Sequence, residues 1–276
     1  MRADLHVHTY YSDGLISPEE VAAAASAEGL NLVAVTDHDC ILAYPELSAA
    51  CNKKGIKAVQ GIEVSAYEGL VKIHTLGYNL DVKNPQFKEF SKRLYDGALI
   101  RAEDIVNKLN KNSVFITLDE VLNYRHSPLS PVHAMHVARA CAKKGYCNGS
   151  AEAFFFNYLA WGKPAFSNLC RPTPEEAVEV ITACGGFSSL AHPARISMER
   201  GELLSLIKRM ASCGLGGIEA VYSAHTEMET AYYKETASNL RLLVTGGSDT
   251  HYFGGSRKIG SPEFYADGEL AARLGI

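Results

Sequence analysis

Short apolar runs alternate with helix-forming stretches along most of this chain, and this alternation constrains the fold more than any other feature. The run 32–36 (Leu-Val-Ala-Val-Thr) is continuously apolar, as in strands buried within a parallel sheet. The segments 17–20 (Ser-Pro-Glu-Glu) and 173–176 (Thr-Pro-Glu-Glu) each combine a capping residue, a proline and two acids, which is typical of a helix start. The pattern predicts seven strands, at 3–8, 32–36, 57–64, 71–78, 187–191, 217–221 and 241–246.

Seven strands separated by helices predict an α/β fold, either a closed or nearly closed parallel barrel or, as the alternative, an open doubly wound sheet. The alternation stops between 84 and 165, where apolar residues follow helical spacing and no strand is predicted. We therefore expect a barrel domain formed by 1–83 and 166–276, with 84–165 as a helical insertion after strand four. The Phe154–Phe156 run is expected in the core of that insertion.

Histidines and acids follow the predicted strands closely. His6 and His8 share one face of strand one, because side chains two residues apart point the same way. On a single strand this spacing also fits two ordinary polar residues. The carboxyl ends of parallel strands meet at one edge, however, and the strands bring a larger set to that edge. The set comprises six of the ten histidines and three acids: His6, His8, His38, His74, His192, His251, Asp13, Glu63 and Asp249.

Eight imidazole and carboxylate ligands, plus Asp13, exceed what one four- or five-coordinate ion uses, so the set predicts a multinuclear cluster of divalent ions. These ligand types accept Mn²⁺, Zn²⁺ or Fe²⁺. A cluster of this kind lowers the pKa of a bridging water and provides hydroxide near neutral pH. We therefore expect hydrolysis of a phosphate ester by attack of that metal-bridging hydroxide.

The composition excludes several other classes of partner. Lys and Arg total 27 against 31 Asp and Glu, so the net charge of −4 provides no basic field for long DNA. No apolar run reaches the ~18 residues of a membrane span. Seven scattered cysteines, and a first strand that begins at residue 3 and leaves no room for a signal peptide, favour a reducing, cytoplasmic location.

The motifs resemble those of the PHP (polymerase and histidinol phosphatase) family. The resemblance is carried by 4–14 (Asp-Leu-His-Val-His-Thr-Tyr-Tyr-Ser-Asp-Gly), 36–39 (Thr-Asp-His-Asp), 191–193 (Ala-His-Pro) and 248–251 (Ser-Asp-Thr-His), together with Glu63 and His74. It implies a distorted (β/α)7 barrel with three metal ions. By this resemblance, a first ion is bound by His6, His8, Glu63 and Asp249, a second by Glu63, His74 and His192, and a third by Asp13, His38 and His251.

Within that family the helical insertion resembles the stand-alone, TrpH/YciV-like phosphoesterases, which act on nucleoside 3′,5′-bisphosphates and on the 5′ ends of short RNA. The segments 162–164 (Gly-Lys-Pro) and 191–195 (Ala-His-Pro-Ala-Arg) are similar to landmarks of that subgroup. One position departs from it, since His133 stands near the place where those enzymes commonly carry an arginine. The resemblance thus implies a small phosphorylated substrate, a nucleotide or short RNA, with its exact identity open.

Further residues are assigned to catalysis or to the substrate. Arg195 is expected to clamp phosphate, because a guanidinium suits bidentate contacts, unless it is a surface arginine. His225 is expected to protonate the leaving group. Asp13 is counted as a catalytic residue as well as a ligand. Substrate contacts are also assigned, with capping, core or solvated roles as alternatives, to His133, His136, Lys163 and Ser223.

Three other functions compete with a nucleotide phosphoesterase. One is a histidinol phosphate phosphatase, which shares the reaction class. Another is a non-catalytic metal-binding PHP module, as in domains attached to DNA polymerases. The last is an amidohydrolase-type barrel, which also places His-x-His on its first strand, although Asp13, His38 and Glu63 fit that pattern poorly.

Overall fold

A computed structural model describes all residues, 1–276, as seven strands and ten helices. The strands are β1 (Ala3–Asp4), β2 (Leu32–Val35), β3 (Lys57–Glu68), β4 (Val71–Tyr78), β5 (Phe187–Leu190), β6 (Gly217–Tyr222) and β7 (Leu243–Gly247). They form one sheet in sequence order. Leu5 N–H donates to Gly246 O (3.1 Å) and His8 N–H to Thr250 O (2.9 Å), so the first and last strands meet. The predicted (β/α)7 barrel is confirmed.

The barrel is not wholly parallel, which corrects one expectation. β4 runs antiparallel to both β3 and β5. Only Gly69 and Leu70 separate β3 from β4, which is far too short for a helical crossover. β3 also continues four residues beyond the predicted end, so the β3–β4 hairpin projects past the barrel rim. Because β4 is reversed, His74 in its first half lies at the same rim as the strand ends.

Strand β1 is much shorter than the predicted 3–8. Asp4 ends it, because its buried carboxylate accepts backbone N–H groups from His6 (3.2 Å), Ser248 (2.9 Å) and Gly260 (2.9 Å) in place of ladder bonds. Val7 keeps a single parallel bridge to Thr250. His6 and His8, which follow the end of β1, are both completely buried.

Helices surround the barrel and fill the insertion. The capping box of Ser17 and Glu20 is present at the first helix, as predicted. No helix combines the length and the apolar character required to cross a membrane. The helices are α1 (Pro18–Ala27), α2 (Tyr44–Asn52), α3 (Pro85–Lys111), α4 (Leu118–Leu122), α5 (Ala134–Lys143), α6 (Ala151–Phe154), α7 (Pro174–Ala183), α8 (Arg200–Ser212), α9 (Glu227–Leu240) and α10 (Gly268–Arg273).

Helices α3 to α6 lie between β4 and β5 in the chain and bury apolar side chains among themselves. Leu109, Val137 and Phe154 are completely buried in this cluster. After Phe154 the helix widens into one looser turn, Phe155–Leu159. Phe156 on this turn is 64% exposed, so the prediction that it belongs to the core is wrong.

Candidate metal centre and substrate cavity

Glu63 occupies the centre of the barrel mouth. It is 1% exposed, and its position in the middle of β3 is fixed by pairing with Leu76 of β4. Five imidazole nitrogens surround its two carboxylate oxygens: those of His74 and His38 at 2.8 Å, His192 at 3.1 Å, His8 at 3.2 Å and His6 at 3.4 Å. Burial alone opposes ionisation, yet these imidazoles bring the pKa of the carboxyl well below its usual range.

Two further carboxylates complete the cluster on the side of β7. Asp249 Oδ1 lies 3.3 Å from His8 Nε2 and 3.5 Å from His6 Nε2. Asp13 Oδ1 lies 3.4 Å from His251 Nε2, and its other oxygen lies 4.0 Å from His38 Nε2. The structure therefore brings all nine predicted ligands together at one end of the barrel.

The donor set fits divalent ions. Several buried ligand atoms make no hydrogen bond: His8 Nδ1, Asp13 Oδ1, His38 Nδ1, Glu63 Oε2, His74 Nε2 and His192 Nδ1. His38 Nδ1 and Glu63 Oε2 lie 2.8 Å apart without the geometry of a hydrogen bond. Ligand atoms fall into four overlapping groups, in each of which they lie within 4.8 Å of one another. Burial lowers the pKa of His74 well below its usual range, which keeps its ring neutral and able to act as a ligand. Unpaired lone pairs converging at this range are what Mn²⁺, Zn²⁺ or Fe²⁺ require.

Glu219 of β6 supports this cluster and was missed by the sequence assignment. It is completely buried, its Oε1 lies 2.9 Å from His6 Nδ1, and its Oε2 accepts the backbone N–H of His192 (2.7 Å). One carboxylate thus orients ligands from two strands. The sequence did contain a signal for this residue, because Glu219 is the one charged residue in an otherwise apolar predicted strand.

We expect Glu219→Gln to lower metal affinity or turnover by about 10- to 100-fold, because the amide removes the charge that orients His6. Metal content and phosphate release of the purified variant measure this effect. Glu227→Gln, at the exposed start of α9, is the matched control. Unchanged metal content and turnover in Glu219→Gln would remove the residue from the supporting role.

Helix α5 of the insertion holds the loop that carries Asp13. His136 Nε2 donates to Ser12 O (2.8 Å), and Arg139 Nη2 donates to Asp13 O (2.5 Å). His133, at the start of the same helix, is buried with an unpartnered Nε2, and its ring lies 5.8 Å from that of His38. The insertion therefore contributes directly to the geometry of the ligand loop.

A cavity of about 740 Å³ opens above the cluster, between the barrel mouth and the insertion. Arg195, on the short turn after β5, and His133 both line it, as does Trp161 of the insertion. Six cationic residues share the wall: Lys72, Arg101, Arg139, Arg171, Arg195 and Arg257. Six aromatic residues also contribute: Tyr67, Phe155, Phe156, Trp161, Phe166 and Tyr252. The cavity thus combines metal ligands, positive charge and flat apolar surface.

Four residues assigned to catalysis or substrate do not line this cavity: His136, Lys163, Ser223 and His225. His225 Nδ1 lies 3.1 Å from Ala220 O, and its Nε2 accepts the backbone N–H of Ala194 (3.4 Å). Both of its nitrogens face the backbone, so it is not placed to protonate a leaving group there. Lys163 is exposed on the turn that follows the insertion helices.

Comparison with known proteins agrees with this geometry. The family model described as the PHP domain matches residues 4–152, more than half of the chain. The chain belongs to the PHP family. A 3′,5′-nucleoside bisphosphate phosphatase of Chromobacterium violaceum is 31% identical over 261 residues, covering 94% of this chain and 91% of that protein.

Two further known proteins are also similar to this chain. A 5′-3′ exoribonuclease of Haemophilus influenzae is 30% identical over 250 residues, covering 90% of this chain and 89% of the relative. A solved structure named as an amidohydrolase from C. violaceum, with bound sulfate and no metal, superposes with a TM-score of 0.87 at 29% identity. It covers 99% of this chain and 97% of that one. The superposition therefore extends over nearly the whole of both chains.

Proposed function

We propose that this PHP protein is a metal-dependent phosphoesterase that hydrolyses a phosphomonoester of a nucleotide, either a nucleoside 3′,5′-bisphosphate or the 5′ end of a short RNA. The observation that carries the proposal is one cavity with nine metal ligands at its floor and six cations around its wall. Cationic walls favour phosphate over the neutral amide substrates of an amidohydrolase.

We propose two to three ions, distributed as the family resemblance implies. His6, His8, Glu63 and Asp249 would hold the first, Glu63, His74 and His192 the second, and Asp13, His38 and His251 the third. Divalent ions bound there would supply Lewis acidity toward phosphoryl oxygens and would make a water more acidic.

The protein's own side chains would orient the ester over this floor. Arg195 extends from the turn directly after the ligand His192, and Arg257 forms an ion pair with the ligand Asp249. A phosphate between them would accept charge-assisted hydrogen bonds from guanidinium groups, which fix its direction as well as its charge. His133 adds a neutral, unpartnered imidazole to the same space, because burial lowers its pKa well below the usual range.

The nucleotide class is supported by the aromatic part of the wall. Trp161 and Phe156 are 67% and 64% exposed although they are large and apolar, and both face the cavity. Flat exposed rings beside cations are typical of surfaces that stack nucleobases. The named activities of the two curated relatives, on a nucleoside bisphosphate and on RNA, support the same class. We also propose that 84–165 acts as a subdomain for specificity, and that the protein works in the cytoplasm, where its seven free cysteines suit a reducing environment.

Arg195→Ala is expected to raise KM or lower kcat/KM by about 10- to 100-fold for phosphorylated substrates, because one charged hydrogen-bond donor to phosphate is lost. Steady-state phosphate release measures this change. Arg200→Ala, an exposed arginine at the start of α8 that does not line the cavity, is the control. Identical kinetics for Arg195→Ala and the parent protein would exclude Arg195 from the phosphate site.

Phosphate release from Mn²⁺-loaded protein tests the proposed function. Adenosine 3′,5′-bisphosphate, AMP, histidinol phosphate and a short 5′-phosphorylated RNA are compared at equal concentrations. We expect the bisphosphate or the RNA to be hydrolysed fastest. Preference for histidinol phosphate would replace the nucleotide assignment, and metal-loaded protein inert toward all four would favour a non-catalytic metal-binding module.

A further inference from the structure

Strand β6 carries a β-bulge next to the metal centre. Its pairing with β7 proceeds in step as far as Glu219 and then shifts by one residue, so that Ala220 has no partner in the ladder. Without the bulge, Glu219 and Tyr222 would lie three positions apart on opposite faces of the sheet. The extra residue brings both side chains to the buried face, where Glu219 is 0% and Tyr222 is 2% exposed and both contact metal ligands.

His225 holds this bulge in place. Its Nδ1 donates to the carbonyl oxygen of the bulged Ala220 (3.1 Å), and its ring packs against that of Tyr222 at a centroid distance of 5.1 Å. The other ring nitrogen accepts the backbone N–H of Ala194 (3.4 Å), which fixes the orientation of the imidazole. The histidine that follows β6 therefore supports the backbone that directs Tyr222.

The hydroxyl of Tyr222 reaches the ligand Asp249. It donates to Oδ2 at 2.8 Å, whereas Oδ1 of the same carboxylate lies 3.3 Å from His8 Nε2 and 3.5 Å from His6 Nε2. The ring of Tyr222 lies 5.3 Å from the ring of the ligand His192. Tyr222 therefore contacts the ligands that follow β5 and β7, although it does not line the cavity.

Arg257 binds the same carboxylate oxygen. Its Nη1 pairs with Asp249 Oδ2 and donates to Asp249 O (3.1 Å), and its guanidinium carbon lies 5.5 Å from the centre of the Tyr222 ring. A guanidinium group is suited to binding both oxygens of a carboxylate as a fork. Because the Tyr222 hydroxyl shares Oδ2 with Arg257, the carboxylate stays turned with Oδ1 toward the histidines. The two oxygens of Asp249 thus have separate roles.

We propose that Tyr222 is a positioning residue of the metal centre, which keeps Oδ1 of Asp249 available to a metal ion by binding Oδ2. This inference rests on the metal centre of the proposed function and extends it to a residue outside the substrate cavity. The backbone of Asp249 is left-handed (φ 55°), a conformation that a non-glycine residue keeps only where its surroundings fix it. Loss of the hydroxyl would let Arg257 take both oxygens and withdraw the carboxylate from the ion.

Tyr222→Phe tests this role, because it removes the hydroxyl and keeps the ring against His192. Calorimetric titration of metal-free protein with Mn²⁺ measures the binding of each ion. We expect the affinity for one ion, the ion bound by Asp249, to fall by about 10- to 100-fold, while the other ions bind as in the parent. The control is Tyr95→Phe, which removes a hydroxyl that donates to Pro128 O (2.9 Å) in the insertion and should leave every affinity unchanged.

Co²⁺ provides a spectroscopic measurement that a general loss of stability would not change. Its visible absorption depends on the number and geometry of its ligands. At full occupancy, Tyr222→Phe should give a Co²⁺ spectrum that differs from those of the parent and of Tyr95→Phe. If Tyr222→Phe does not fold, His225→Phe is the second variant. It keeps an aromatic ring but cannot donate to Ala220 O, and it should weaken the binding of the same ion.

Equal affinities and identical Co²⁺ spectra in Tyr222→Phe and the parent would overturn the positioning role. An equal loss of affinity for every ion would also overturn it, because such a loss indicates general destabilisation. These measurements do not depend on turnover. A parent protein that binds ions but releases no phosphate from nucleotides, with one ion weakened in Tyr222→Phe, would refute the proposed reaction and keep this role. A parent protein that binds no ion would refute both.

Discussion

Glu63→Gln is expected to reduce phosphate release by at least about a thousandfold. The carboxylate is the one group that lies within 3.4 Å of five ligand imidazoles, and it is shared by two of the proposed ions. An amide cannot bridge two cations with both of its polar atoms, because its NH₂ group has no lone pair for a metal. The thousandfold loss corresponds to several kcal/mol of lost charge stabilisation in the transition state, because each tenfold change in rate is equivalent to ~1.4 kcal/mol.

The matched control is Glu68→Gln, the same change at the half-buried end of the same strand, where the side chain pairs with Arg209. We expect it to keep both turnover and metal content. Activity of Glu63→Gln near that of the parent, with metal still bound, would contradict the multinuclear arrangement.

Removal of metal is expected to destabilise the protein as well as inactivate it. Each ion present at a hundredfold excess over its Kd contributes about 2.7 kcal/mol to the free energy of unfolding. At ~2–4 °C per kcal/mol for a chain of this size, chelation should lower the Tm by about 5–10 °C for each ion removed. Without ions, the unpartnered atoms of Glu63, Asp13 and four histidines stay buried together.

Circular dichroism melting with and without a chelator measures this shift, and excess Mn²⁺ should restore both Tm and turnover. Chelator saturated beforehand with Ca²⁺ controls for direct effects of the reagent. An unchanged Tm together with unchanged phosphate release would show that the cluster holds no functional ion.

Much of the barrel, and the convergence of the nine candidate ligands at its mouth, could be predicted from the sequence, for a common physical reason. Buried strands appear in the sequence as apolar runs. A polar residue at the end of such a strand interrupts the run and is easily recognised, as at His38 and His192. The reversed β4 was not predicted, because strand direction depends on the length of a connection that alternation does not reveal. In the structure, β3 extends to Glu68, and this extension shortens the connection between β3 and β4 to two residues.

The remaining parts of the site depend on tertiary contacts that are far apart in sequence. Glu219 lies 213 residues from His6, and Arg101 lies 68 residues from the carbonyl of Leu169 that accepts its hydrogen bond. His225 shows the opposite error, since a histidine after a strand resembles a site residue even when both of its nitrogens face the backbone. Residue type and spacing do not determine which face of a loop points into the cavity.

The measurement that tests the central claim most directly is a titration of metal-free protein with Mn²⁺, in which bound ions and phosphate release from adenosine 3′,5′-bisphosphate are followed together. The nine-ligand cluster predicts that turnover appears only as two to three ions bind per chain, and that Glu63→Gln binds fewer. Full turnover in the absence of metal, or at a single bound ion, would contradict a multinuclear phosphoesterase centre.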